Sequence, residues 1–263
     1  MLGSIIGDIV GSRFEHHNIK SKKFHLFASS CRATDDSIMS LAVAKAIIEC
    51  KGDYVVLGDV AVRCMQEVGR NYPYCGFGGM FKRWLFSDNP KPYNSFGNGA
   101  AMRISPCGYA GRSLEEVKLL SRKVTEVTHN HHEGIKGAEA AAVAVFLARQ
   151  GRTISQIKEY MDTNYYSMDF TLDGIREEYR FDVTCQGSVP QALMAFFESA
   201  GFEDAIRNAV SIGGDSDTIA AITGGIAGAY YGIPDHIRSR AVTYLDERLL
   251  KMLNDFEDVF LQA

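Results

Sequence analysis

The sequence predicts an all-α fold, and three observations lead there. Only six prolines occur in 263 residues. Several long windows place apolar residues at i, i+3, i+4 and i+7, the helical period. Alternating strand patterns are few, and no strand–helix rhythm signals a parallel sheet. The N-terminal segment reads as a first helix in which Gly3, Gly7 and Gly11 recur every four residues, a spacing that suits close helix packing. Ser37–Cys50 follows, with Ile38, Leu41, Ala42, Ala44 and Ile48 on the helical period. Tyr54–Val68, Leu114–Val127, Gly134–Gln150 and Gln191–Ser199 share it. Thr218–Tyr230 is rich in Ala, Ile and Gly, which predicts a deeply buried helix. His236–Leu253 is a charged amphipathic stretch, and the chain is expected to end helically near Phe260. Glu15–Ala33, Asn71–Gly76, Ser87–Gly97 and Asp162–Thr184 read as irregular. In an all-helical protein such loops are where binding groups sit.

Composition bounds the function classes. Apolar residues make up 46% and charged residues 23%, the balance of an ordinary globular chain. The formal net charge is −4, from 28 basic and 32 acidic side chains, so no basic field is available to hold a nucleic-acid backbone. No apolar run reaches the ~18 residues of a spanning helix. Met1–Val10 contains Asp8 and lacks the features of a signal peptide. The six cysteines form no CxxC pair and read as reduced, mostly buried thiols, which implies a cytoplasmic protein. No linker or repeat divides the chain, so residues 1–263 are expected to form a single compact domain, acting as a monomer with no membrane association.

Two carboxylate groups open two of the predicted helices: Thr34-Asp35-Asp36, and Gly214-Asp215-Ser216-Asp217-Thr218. Capping is the competing explanation, because Thr and Asp satisfy free N–H groups at helix starts and suit the dipole there. A cap needs one oxygen, however, and each site offers two carboxylates and a hydroxyl. Both lead into Ala-rich helices expected to be buried, where unpaired carboxylates are costly. Bound divalent cations would offset that charge. An all-oxygen donor set suits Mg²⁺ or Mn²⁺ better than zinc. An EF-hand starting at Asp215 is excluded, since Ala220 and Ile226 occupy the positions that need Gly and Glu. An aspartyl-phosphate motif would need a parallel sheet behind it. If the two groups converge, they can hold two metals that orient a water and polarise a leaving group.

Ser95-Phe96-Gly97-Asn98-Gly99-Ala100-Ala101-Met102-Arg103 is a run of small residues before a helix, either a phosphate cradle or a simple turn. Gly76-Phe77-Gly78-Gly79 has the same ambiguity. His129-Asn130-His131-His132-Glu133 lies between two helices with no cysteine nearby, so structural or substrate-contacting histidines are expected rather than zinc ligands. Glu15 leaves the first helix into a loop carrying His16, His17, Lys20, Lys22 and Lys23, which reads as mobile.

In this order, the segments Gly7-Asp8…Gly11-Ser12…Glu15, Thr34-Asp35-Asp36, Gly97-Asn98-Gly99-Ala100-Ala101-Met102-Arg103, Thr128-His129-x-His131 and Gly214-Asp215-Ser216-Asp217-Thr218 resemble the ADP-ribosylglycohydrolase family, which includes the dinitrogenase-reductase-activating glycohydrolase and ADP-ribosylarginine hydrolases. The resemblance covers nearly the whole chain. It implies a compact orthogonal helical bundle with a binuclear Mg²⁺ or Mn²⁺ centre, and a hydrolase that cleaves the glycosidic bond between ADP-ribose and a modified target, reversing ADP-ribosylation. The target it implies is an ADP-ribosylated protein, arginine favoured, or a small-molecule conjugate. Carried over by position, Thr34, Asp35, Asp36, Asp215, Asp217 and Thr218 would hold the metals. Glu15, Asp36 and Asp217 would be catalytic, with Glu15 on a mobile flap. Ser95, Phe96, Gly97, Asn98, Gly99 and His129 would contact the ADP-ribose. Ser37 departs from a Thr common in the family, and the flap is unusually rich in His and Lys. A non-catalytic relative and a metal-dependent phosphohydrolase are the alternatives.

Overall fold

A computed structural model describes residues 1–261. The expected all-α class is what forms. The fifteen helices among the described residues are α1 Leu2–Gly11, α2 Asp35–Cys50, α3 Leu57–Gly69, α4 Gly79–Leu85, α5 Gly99–Met102, α6 Ser105–Ala110, α7 Leu114–Thr125, α8 His132–Arg149, α9 Ile154–Asn164, α10 Leu172–Ile175, α11 Cys185–Phe197, α12 Phe202–Ser211, α13 Ser216–Tyr231, α14 Asp235–Ala241 and α15 Glu247–Phe260. Extended pairing among the described residues is confined to an isolated bridge between Gly97 and Thr184.

The core is built around helices that present small side chains on every face. α13 is buried without a break from Ser216 to Ala227. α1 packs along it, with α8, α11 and α12 on its other sides. The glycine stripe of α1 makes this approach possible. A Cβ on Gly3 would stand 2.2 Å from the Gly224 carbonyl oxygen, and one on Gly7 only 1.9 Å from that of Ala220. On Gly11 it would stand 2.4 Å from the Asp217 Cα. No side chain fits in those gaps, so the spacing expected to reflect packing does so. α2 closes the other side between α3 and α15, and crosses the end of α1 that carries Asp8.

Several boundaries differ from the sequence reading for identifiable reasons. Tyr54–Val56 is a 3₁₀ turn that precedes α3. The stretch His236–Leu253 is two helices. Asp246 accepts the Leu249 N–H at 2.9 Å and starts α15 as an N-cap. α11 begins six residues before the expected Gln191, because the Thr184 hydroxyl caps it by accepting the Gly187 N–H at 3.0 Å. The irregular stretches are present except that α9 runs to Asn164 and α10, Leu172–Ile175, lies inside Asp162–Thr184; they supply residues to the cavity near which α2, α5 and α13 begin.

Candidate active site

Asp8 sits in α1 among residues that are all buried. Its carboxylate accepts the Thr34 hydroxyl at 2.6 Å, the Thr34 N–H at 2.9 Å, the Ser37 N–H at 3.1 Å and the Ser37 hydroxyl. It thereby satisfies the free donors at the start of α2 from a neighbouring helix. Ser37 supplies a hydroxyl to Asp8, so the departure from Thr there costs no donor. Thr34 is the N-cap of α2, its hydroxyl oxygen accepting the Asp36 N–H at 3.3 Å. The capping explanation thus holds for Thr34 and leaves Asp35 and Asp36 free to face the cleft.

At the second group Asp217 Oδ1 accepts the Thr218 N–H at 3.0 Å, but the N-cap side chain does not cap. Asp215 is the N-cap residue of α13 but makes no side-chain cap bond. Its Oδ2 instead accepts the Asn98 amide at 2.7 Å. Gly213 and Gly214, at φ +70° and +73°, form the turn that aims the two carboxylates, a conformation that favours glycine. The two acidic groups converge. One carboxylate oxygen each of Asp8, Asp36 and Asp217 lie within 4.8 Å of one another, and so do oxygens of Glu15, Asp215 and Asp217.

The electrostatics of this cluster are unfavourable in the metal-free protein. Burial pushes the Asp36 and Asp217 carboxyls well above the usual range, and neighbouring carboxylates push them further. Asp35 is raised to about 7 by burial and then by Asp8. Glu15 is raised by burial as well, opposed by the nearby His16. Asp36 Oδ1 is buried with no hydrogen-bond partner. An orphaned, buried carboxylate oxygen among further carboxylates is the chemistry that a hard divalent cation completes, so these residues fit such an ion.

The cluster forms the floor of a cavity of about 540 Å³. Of the residues expected to contact metal or ADP-ribose, Glu15, Asp35, Asp36, Ser95, Gly97, Asn98, Gly99, His129, Asp215, Asp217 and Thr218 line it. Thr34 is turned toward Asp8 and lies off the cavity wall. Phe96 also lies off the wall; it is 43% exposed, with its ring 5.1 Å from that of His131. The Ser95–Gly99 segment is fixed by the Asn98 N–H on the Val183 carbonyl at 2.7 Å and the Cys185 N–H on that of Phe96 at 2.9 Å.

The loop after Glu15 is held more firmly than its composition suggests. The Asn18 amide donates to the carbonyls of Phe14 at 2.7 Å and Gly214 at 2.9 Å, and its oxygen accepts the Gly214 N–H at 2.8 Å. Lys20 donates to the carbonyls of Ile212 at 2.6 Å and Tyr179 at 2.8 Å. His16 and His17 are exposed beyond these ties. The sequence reading quoted Asp8 in the Gly7-Asp8…Glu15 segment but gave it no role, although a lone carboxylate inside an apolar ten-residue helix is itself a signal. It also assigned nothing to Tyr93, Arg103, Phe181 and Val183, which line the cavity. For Tyr93, Phe181 and Val183 the sequence signals were weak, because aromatic and aliphatic loop residues are common on any surface; Arg103 closed the Gly97–Arg103 segment but was given no role.

Comparison with known proteins agrees with this geometry. The chain is 26% identical to the human ADP-ribosylhydrolase ARH3, over 89% of this chain and 84% of the relative. It is 27% identical to the ADP-ribosylarginine hydrolase Tri1 of Pseudomonas putida, over 89% and 70%. A solved structure described as an ADP-ribosylglycohydrolase-related protein complex superposes with a TM-score of 0.66 at 24% identity, covering 95% of this chain and 93% of that one. The pattern of the ADP-ribosylglycohydrolase family matches residues 1–262, and with an acidic cleft of this form beneath that match the chain belongs to the ADP-ribosylglycohydrolase family and is a hydrolase of glycosyl bonds.

Proposed function

We propose that the protein removes ADP-ribose from an ADP-ribosylated protein, with arginine the favoured attachment, using two divalent cations, Mg²⁺ or Mn²⁺. The observation that carries this is the convergence of Asp35 and Asp36 with Asp215 and Asp217 on the floor of one cavity. Those four carboxylates and the Thr218 hydroxyl would hold the ions. Thr34, whose hydroxyl proton is engaged by Asp8, would add only an oxygen lone pair. Bound there, such cations supply positive charge that brings the pKa of water toward neutrality. Arginine is favoured because one of the relatives is named for ADP-ribosylarginine.

In the reaction a water oxygen attacks the anomeric carbon of the distal ribose while the bond to the guanidine nitrogen breaks. The electron pair leaves with that nitrogen, which takes up a proton from solvent. The ribose passes through an oxocarbenium-like state. Glu15, half-buried beside Asp215 and Asp217, accepts the water proton. Asp36 and Asp217 would orient the attacking water through the ions they hold, and Ser95, Gly97, Asn98, Gly99 and His129 would hold the ADP-ribose. We read residues 1–263 as one monomeric domain, supported by one continuous hydrophobic core. We place it in the cytoplasm, a reading supported by six unpaired cysteines. Among the described residues no helix is long and apolar enough to cross a membrane.

The test is a panel of ADP-ribose conjugates at arginine, serine, an acetyl ester and a nucleic-acid base, each with Mg²⁺ or Mn²⁺. Free ADP-ribose is expected from the arginine conjugate, abolished by a chelator and restored by adding metal. Inorganic phosphate as the product, or no release from any conjugate, would overturn the proposal.

A further inference from the structure

Arg103 is fully buried, and among the described residues no carboxylate pairs with it. The groups that face it are Tyr93, Cys107 and Cys185, with its guanidinium 5.5 Å from the Phe81 ring centre. Its Nε has no partner. One terminal nitrogen donates to the Thr128 hydroxyl oxygen at 2.6 Å and lies 3.4 Å from His129 Nδ1. Thr128 Oγ1 is in turn 2.7 Å from the same Nδ1. A buried cation without a counter-ion is costly, and this one sits against the wall of the substrate cavity.

The direction of the hydrogen bonds follows from what each group can do. Arginine only donates. Thr128 accepts from it and has one proton left to give. His129 Nδ1, at 2.7 Å, is a better acceptor for that proton than the Thr125 carbonyl at 3.4 Å. With two donors directed at it, Nδ1 carries a lone pair, so the ring proton is on Nε2. Nε2 lies close to Gly97 and Gly99: a Cβ on either would come within 3.6 Å and 3.4 Å of it. Burial and the charge of Arg103 both hold the imidazole neutral.

We propose that Arg103 and Thr128 are positioning residues that lock His129 in its Nε2–H tautomer, so that the cavity presents a fixed donor to an acceptor oxygen of the substrate. The ligand assignment rests on the function proposed above: the acceptor favoured by a buried guanidinium behind the ring is an anionic one, the diphosphate of ADP-ribose. His129 acts here as a donor and takes no part in proton transfer. The arrangement also gives the Arg of the Gly97–Arg103 motif a role that the glycines alone do not explain.

The experiment reads the tautomer directly. Long-range ¹H–¹⁵N correlation spectra of the labelled full chain with Mg²⁺ at neutral pH assign His129 through the signals lost in His129→Gln. Nε2 is expected to be protonated and Nδ1 not. Thr128→Val should give a mixed or reversed pattern and weaken ADP-ribose binding by calorimetry about tenfold. Thr128→Ser, which keeps the hydroxyl, should retain both. If Thr128→Val does not fold, the wild-type spectrum and Thr128→Ser still decide. A protonated Nδ1 in the wild type overturns the lock, as does a folded Thr128→Val with unchanged tautomer and affinity. An Nε2–H tautomer in a protein that does not bind ADP-ribose would instead overturn the ligand assignment and the proposed function, while the lock stands.

Discussion

Asp8 and Asp36 carry the same side chain in the same acidic cluster, and burial raises both carboxyls, but their hydrogen bonding differs. Asp8 accepts four hydrogen bonds from Thr34 and Ser37, whereas Asp36 has a buried oxygen with none. Replacing Asp8 by Asn turns an amide NH₂ toward donors, and should cost about 2–3 kcal/mol. Replacing Asp36 by Asn removes the cost of keeping a buried acid among other acids, and should raise the melting temperature of the metal-free protein at neutral pH. Thermal melts in chelator compare the two, and a shift of the same sign in both would refute the division of roles. Glu15 makes a kinetic prediction. It lines the cavity within reach of Asp215 and Asp217, and its backbone is tied down through Asn18. Glu15→Gln keeps that shape and loses the proton acceptor. Turnover (kcat) on an ADP-ribosylated substrate should fall ~10²–10⁴-fold with little change in KM. A variant within about twofold of wild type would remove Glu15 from the chemistry.

At the scale of elements, the glycine stripe of α1 decides whether the cluster exists. It lets α1 lie on α13 closely enough for Asp8 to reach Asp217 and the start of α2. Gly7→Ala puts a methyl 1.9 Å from the Ala220 carbonyl oxygen, with backbone on both sides and nothing flexible to yield. The helices must separate, at an expected cost of about 3 kcal/mol or more, and activity should be lost with the geometry. Gly79, at the start of α4, has open space around it. Gly79→Ala should be neutral or stabilising by about 0.5–1 kcal/mol, through helix propensity alone. Denaturant unfolding of the pair separates packing glycines from tolerated ones. The stripe was legible in the sequence because its period of four survives without knowledge of its partner. Most of the long helices were legible for the same reason, although α12, with ten residues, was not read. α5, α6 and α10, of four to six residues, complete too few turns to show a period. α9 was legible in principle, since Thr153 and Gln156 form a capping box. The division between α14 and α15 turns on one capping aspartate inside a stretch whose apolar period continues through it.

At the scale of the whole molecule, carboxylates from positions 8, 15, 35, 36, 215 and 217 meet at one site. Local sequence indicated that two helix starts carried more acid than capping needs. It did not indicate that they meet, because convergence depends on how α1, α2 and α13 cross, and only the family resemblance carried that information. The meeting has a consequence for stability. Asp35 is raised from 3.8 to about 7, first by burial, and Asp36 and Asp217 are raised well above the ordinary value for the same reason. The folded protein therefore retains protons that the unfolded chain has released. The stability these groups contribute is full below about pH 4 and is lost as pH rises through about 7 and beyond. His129 acts in the other direction. It is buried as a neutral ring with its pKa lowered, so stability is lost as pH falls below its ordinary value of 6.5. The metal-free protein should consequently be most stable in mild acid and weaken toward about pH 8. A divalent cation that takes the place of those protons reverses the trend, because it binds the ionised carboxylates. Thermal melts with Mg²⁺ or with chelator, at about pH 5.5 and about pH 8, should show a much larger stabilisation by metal at the higher pH. The double variant Asp36→Asn, Asp217→Asn should flatten both the metal-free pH dependence and the metal effect. Equal stabilisation at the two pH values would mean that protons and cations do not compete for these carboxylates, and the cluster would then be a strained acidic surface rather than a metal centre.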